Sequence, residues 1–174
     1  MKRFAAIVFA FLLAVGLNAQ GLEMLDKVKD CRAAFHYTYK LSRGGAEFTP
    51  VTDGDVVVED NAYVLEGLGL KVTSDGKTRL SVDSAAREAV VETVEKEDVF
   101  TNPALFIGSW RKYASRLKVN SSGKDSMDVT LTLDDDTKAR FILTGIRFTE
   151  KQGMCDFCTD VSALPADYLI TDLR

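Results

Sequence analysis

The sequence predicts an α+β protein, mainly β: a single highly curved antiparallel sheet or an open barrel, with two helices across its open mouth. Three observations carry this. Period-two alternation of apolar and polar residues dominates the chain from Phe35 onward. Turn residues punctuate it at short, regular intervals, the clearest being Asp75-Gly76 between two alternating runs. Helical periodicity occurs only twice.

The elements follow in order. Lys2 and Arg3 precede an apolar run from Phe4 to Leu17, and Leu17-Asn18-Ala19-Gln20 has a small residue at position 19. These are the three parts of a secretory signal peptide, with cleavage expected after Ala19. The apolar run is shorter than the roughly 20 residues that span a bilayer. Residues 1–19 are therefore read as a signal peptide and 20–174 as one domain, of a size that buries about 70% of its unfolded surface. Residues 22–33 follow as an amphipathic helix with Leu22, Leu25 and Val28 on one stripe.

Phe35, Tyr37, Tyr39 and Leu41 then alternate with His36, Thr38, Lys40 and Ser42, giving a strand with an aromatic face. After the Arg43-Gly44-Gly45 turn, strands are expected from Thr49 to Val58, from Asn61 through Leu65, from Leu70 to Thr73, from Thr78 to Val82 and from Glu88 to Val94. Asn102-Pro103 suits the N-cap and first turn of a second helix, whose apolar face is Leu105, Phe106, Ile107 and Trp110 and whose end falls near Tyr113. Strands return at Ser115 to Val119, Asp128 to Leu133 and Lys138 to Leu143, with Asp134-Asp135-Asp136 as a hairpin tip. Residues 151–166 are irregular, and Tyr168 to Leu173 suits a last edge strand.

Several chemistries are weighed and set aside. The net charge of −4 lacks the basic stripe of a nucleic-acid binder. Cys155-Asp156-Phe157-Cys158 has redox spacing, but no helix follows a strand there to lower a thiol pKa, so a local disulfide is the better reading. Cys31 leaves the pairing among Cys31, Cys155 and Cys158 open. The single His36 and the lack of a second CxxC argue against zinc, and Cys31 with His36 lacks a third group to orient a nucleophile. The three aspartates lack EF-hand spacing, and Arg111, Lys112, Arg116 and Lys118 read as a solvated basic face. No catalytic residues, metal or cofactor are expected, and the protein is not expected to be an enzyme.

Several segments resemble the LolA-type periplasmic lipoprotein carriers. Val72-Thr73-Ser74-Asp75-Gly76-Lys77-Thr78 is similar to the family's strand, Ser-Asp-Gly-Lys-Thr turn and next strand. Phe35 to Tyr39 resembles its first strand, Gly54 to Val58 its Gly-Asp-Leu strand, Thr101 to Phe106 its Thr-Pro helix, and Asp167 to Arg174 its closing strand. The order of these motifs covers nearly all of residues 20–174. One departure stands out: Glu59-Asp60-Asn61 occupies the place where the family puts a basic residue and Pro, so an Arg latch is absent there.

The resemblance implies an open half-barrel with helices covering its concave face. It implies a monomeric periplasmic carrier that shields the acyl chains of lipoproteins, or another lipid, on the way to the outer membrane. The partners would be an inner-membrane release complex and an outer-membrane receptor. An envelope sensor or regulatory half-barrel without a transport role is the alternative, since fold does not fix function. The expected apolar cavity wall is Phe35, Tyr37, Tyr39, Val56, Val58, Tyr63, Leu65, Leu70, Val72 and Leu80, and the expected lid is Phe106, Ile107 and Trp110.

Overall fold

The computed structural model describes residues 24–94, 107 and 110–174. The expected signal peptide and Phe106 lie outside these, as does most of the second expected helix. Among the described residues, no helix is long and apolar enough to cross a membrane.

Among the described residues, ten strands form one sheet: β1 (Arg32–Arg43), β2 (Thr49–Glu59), β3 (Ala62–Gly67), β4 (Leu70–Ser74), β5 (Thr78–Asp83), β6 (Glu88–Thr93), β7 (Leu117–Ser122), β8 (Met127–Thr132), β9 (Thr137–Thr149) and β10 (Leu169–Asp172). Their order is β10-β6-β5-β4-β3-β2-β1-β9-β8-β7, so among the described residues β10 and β7 are the edge strands and the sheet does not close. Long β1 lies between β2 and β9.

Two parts of the expected fold are overturned. The sheet is mixed, not purely antiparallel: after β9 the chain crosses to the far edge, where β10 pairs with β6 in parallel. Nor do helices cover a concave face. The helix expected over 22–33 is, among the described residues, a four-residue turn at 24–27. It tightens through Lys29 N–H to the Asp26 carbonyl, and β1 then draws Arg32 and Ala33 into a ladder with Thr149 and Phe148. The expected strand thus begins three residues early and consumes the helix's last turn. The segment Trp110–Arg116 winds as a 3-10 turn, not an α-helix, before β7 begins at Leu117.

The main core lies on one face of β1–β3 and β8–β9. Along β1 the burial alternates, with Ala33, Phe35, Tyr37 and Tyr39 inward. Val56 and Val58 of β2, Tyr63 and Leu65 of β3, Met127, Val129 and Leu131 of β8, and Phe141 and Leu143 of β9 join them. Tyr39 stacks on Phe141 with ring centroids 5.0 Å apart. Leu25, Val28, Ile107 and Trp110 pack onto this face from outside the sheet.

A second, smaller core sits at the β5–β6 end, built from Leu80, Ala89 and Val91 with Val82, Val161, Leu164 and Tyr168. It is on the opposite face, because each hairpin reverses parity. Val72 pairs with Ser81 and Thr73 with Leu80, so odd residues of β4 share a face with even residues of β5. Val56, Leu65, Val72, Ser81 and Val90 form one row across the main-core face, while Val57, Val64, Thr73, Leu80 and Val91 form a row on the other.

Gly54 of β2 and Gly67 of β3 permit a close backbone approach at the start of their hairpin. A Cβ on Gly54 would press into the Glu66 carbonyl, and one on Gly67 into that of Asp53. Backbone on both sides leaves no flexible neighbour to yield. Gly54→Ala is therefore expected to cost about 2 kcal/mol by overpacking, measured as a lowered urea midpoint at unchanged slope. An unchanged midpoint would mean the two strands part freely there.

Candidate functional site

The residues expected to wall an apolar cavity divide into three groups. Phe35, Tyr37, Tyr39, Val56, Val58, Tyr63 and Leu65 are all buried in one cluster on the main-core face, with Val72 half-buried at its margin. Leu70 lies on the same face but beyond the cluster, and it is exposed. Leu80 faces the other way, for the parity reason above, and belongs to the second core. Of the expected lid, Ile107 and Trp110 pack on the wall residues.

Beyond Val72 this face turns polar. Ser74, Arg79 and Glu92 follow Tyr63 in one row. The Arg79 guanidinium donates from Nε to Glu92 Oε1 at 3.0 Å. Burial opposes the charge on Arg79, but Tyr63 and Glu92 outweigh it and push its pKa up. The apolar field is thus bounded by a fixed ion pair at β5–β6. Within the field, burial pushes the Tyr37 phenol up against the opposing effect of Thr52, so the ring stays neutral.

Trp110 is held by a partner that periodicity does not reveal. Its indole Nε1–H donates to Asp26 Oδ1 at 3.2 Å, and the Arg111 guanidinium, which lies 5.4 Å from the Trp110 ring centroid, donates to Asp26 Oδ2 at 2.8 Å. Asp26 thereby ties Trp110 and Arg111 to the turn at 24–27. One ion pair exposed to solvent is a weak tether.

The opposite face carries the C-terminal tail. Glu59, read above as part of a missing basic latch, is buried and accepts two backbone N–H groups, from Gln152 at 3.0 Å and Gly153 at 2.9 Å. Arg32 approaches Glu59 at 3.8 Å and donates to Asp156 at 2.6 Å, and its guanidinium carbon lies 5.2 Å from the centre of the buried Phe157 ring. Lys151 pairs with Asp60 at 2.6 Å. The acids therefore hold the tail. Cys31, Cys155 and Cys158 are all free thiols, and Cys155 and Cys158 are exposed.

A cleft of about 570 Å³ opens where the register of β1 against β9 shifts between Ala34 and His36. His36, Asp55, Asp125, Thr144 and Arg147 line it. His36 Nδ1 lies 3.1 Å from Asp55, and its Nε2 lies 3.8 Å from Asp53. Both ring nitrogens are thus beside carboxylates, and no oriented nucleophile accompanies them.

No family model and no curated protein matches the chain. Among solved structures, the chain is similar to an uncharacterized conserved protein from Thermus thermophilus, with 7% sequence identity, a TM-score of 0.48, and coverage of 89% of this chain and 98% of that one.

Proposed function

We propose that this protein is an exported, non-enzymatic carrier that binds acyl chains of a lipid or lipoprotein in the cell envelope. The observation that supports it best is the continuous aromatic and aliphatic field of Phe35, Tyr37, Tyr39, Val56, Val58, Tyr63 and Leu65 on one face of an unclosed sheet. The side chains of Ile107 and Trp110 lie over this field, one of them tethered through Asp26. The ligand enters by displacing these side chains, not by filling a void between them.

Magnitudes favour that exchange. Lifting Ile107 and Trp110 off the field costs about 2 to 3 kcal/mol for each side chain. An acyl chain of about 15 methylenes gains on the order of 12 kcal/mol when it leaves water, at about 0.8 kcal/mol per methylene. The ligand's gain exceeds the displaced contacts by about two- to three-fold, so a closed resting state remains compatible with binding.

The test is native mass spectrometry of the purified protein combined with Trp110 fluorescence. Co-purified or exchangeable long-chain lipid and a shifted Trp110 emission on saturation are expected, because the indole leaves both its apolar seat and Asp26. A protein that neither retains nor rebinds lipid, with constant emission across saturating ligand, sinks the carrier reading and favours an envelope sensor domain.

A further inference from the structure

We propose that the turn from Met154 to Cys158 is a binding site for a soft monovalent metal ion, Cu(I), held by the thiolates of Cys155 and Cys158. Two thiols stand three residues apart, and both side chains are exposed. Met154–Phe157 is a 3-10 turn with Cys158 at its end. With Asp156 and Phe157 as the central pair of such a turn, the Cα atoms of Cys155 and Cys158 come within about 7 Å. Side chains three apart on a 3-10 turn lie above one another. Two thiolates can therefore close on one ion without unwinding the chain.

The two intervening residues fix this arrangement. Asp156 is held by Arg32 at 2.6 Å, and Phe157 is buried with the same guanidinium near its ring. Both anchors sit on the sheet side of the turn, which leaves the thiols to solvent. The backbone N–H of Asp160 also donates to Cys158 Sγ at 3.5 Å, which helps orient that side chain.

The ligand set selects the metal. Thiolate sulfurs suit Cu(I), whereas zinc in a structural site takes four ligands, typically thiolates and imidazoles. Among the described residues, no group of three or more His, Cys, Asp or Glu side chains is placed to hold a metal, so the two thiols lack the further ligands of a structural zinc site there. Binding displaces two thiol protons to solvent and changes no oxidation state. The site lies on the tail, apart from the apolar field, so lipid binding and metal binding stand or fall separately.

The experiment uses the full-length exported protein, reduced under anaerobic conditions, in competition with a coloured Cu(I)–bicinchoninate complex. The wild-type protein is expected to withdraw one Cu(I) per chain. Cys155→Ser and Cys158→Ser should each abolish withdrawal, and Met154→Leu and Cys31→Ser should leave it intact. Far-UV circular dichroism checks that each variant remains folded. The proposal is overturned if fully reduced wild-type protein leaves the complex's colour unchanged, if the double Cys155→Ser/Cys158→Ser variant still withdraws copper, or if Zn²⁺ displaces Cu(I) at equal concentration.

Discussion

Glu59→Ala is expected to lower stability by about 3 kcal/mol, as read from urea unfolding. The carboxylate is only 2% exposed and has three partners: the N–H groups of Gln152 and Gly153 and the guanidinium of Arg32. Truncation leaves two donors without an acceptor and one cation with a single remaining partner, Asp156. Breaking a buried ion pair from one side costs about 3 to 5 kcal/mol. The lower end applies because Asp156 stays with Arg32 and because the tail can lift and give its N–H groups to water. Glu59→Gln keeps the shape and one acceptor, so about 1 kcal/mol is expected. Lys151→Ala breaks only the solvent-exposed pair with Asp60 and should leave the urea midpoint unchanged. Equal, small effects from both Glu59 variants would show that the tail is held elsewhere.

That result also marks where sequence reading succeeds and where it stops. The strand of alternating aromatics at Phe35 to Leu41 is legible because its period is local, and it forms the centre of β1. The Ser74 to Lys77 turn is equally local, with Asp75 Oδ1 accepting from both Lys77 N–H and Thr78 N–H. Those two bonds also hold the Asp75 carboxyl below its ordinary pKa, against a partial burial that would raise it. Leu80 is misassigned because alternation within β4 and within β5 does not say how the two strands pair. One step of register moves every side chain to the other face.

The irregularity of residues 151–166 is visible in sequence, but the seat of that segment is not. It depends on contacts of single side chains, Glu59 and Arg32, with a tail 93 to 124 residues further along the chain, and no periodic pattern encodes such contacts. The parallel pairing of β10 with β6 is hidden for the same reason. Glu59 and Asp60 look like the loss of a basic latch until the tail is seen to rest on them. The first expected helix is cut short for a different reason. Leu25 and Val28 do bury their apolar atoms as their periodicity suggests. Burial needs only one turn of chain to present them, and β1 claims the residues that follow.

Phe157→Ala is expected to cost about 3 kcal/mol, and the way it does so tests whether the tail is a cooperative unit of its own. Phe157 is 1% exposed and lies beneath Arg32, in the turn from Met154 that runs alongside β3. Emptying a buried Phe site costs about 3 to 5 kcal/mol when the surroundings stay in place. Here they need not. The segment from Lys151 to Cys158 can leave the sheet while Val161, Leu164 and Tyr168 remain on Leu80, Val82 and Val91, and while Arg87 still pairs with Asp167 at 2.7 Å. The loss is therefore capped at the free energy that seats this segment. Amide exchange in Lys151 to Cys158 should accelerate strongly in the variant, with exchange in β1, β8 and β9 unchanged. Phe157→Leu retains most of the buried surface and should cost about 1 kcal/mol with little change in exchange. If Phe157→Ala instead accelerates exchange through β1 and β9 to the same degree, the tail and the main core unfold as one. The two faces of the sheet would then be coupled through Arg32, whose neighbour Ala33 lies in the main core on the other side of the same strand.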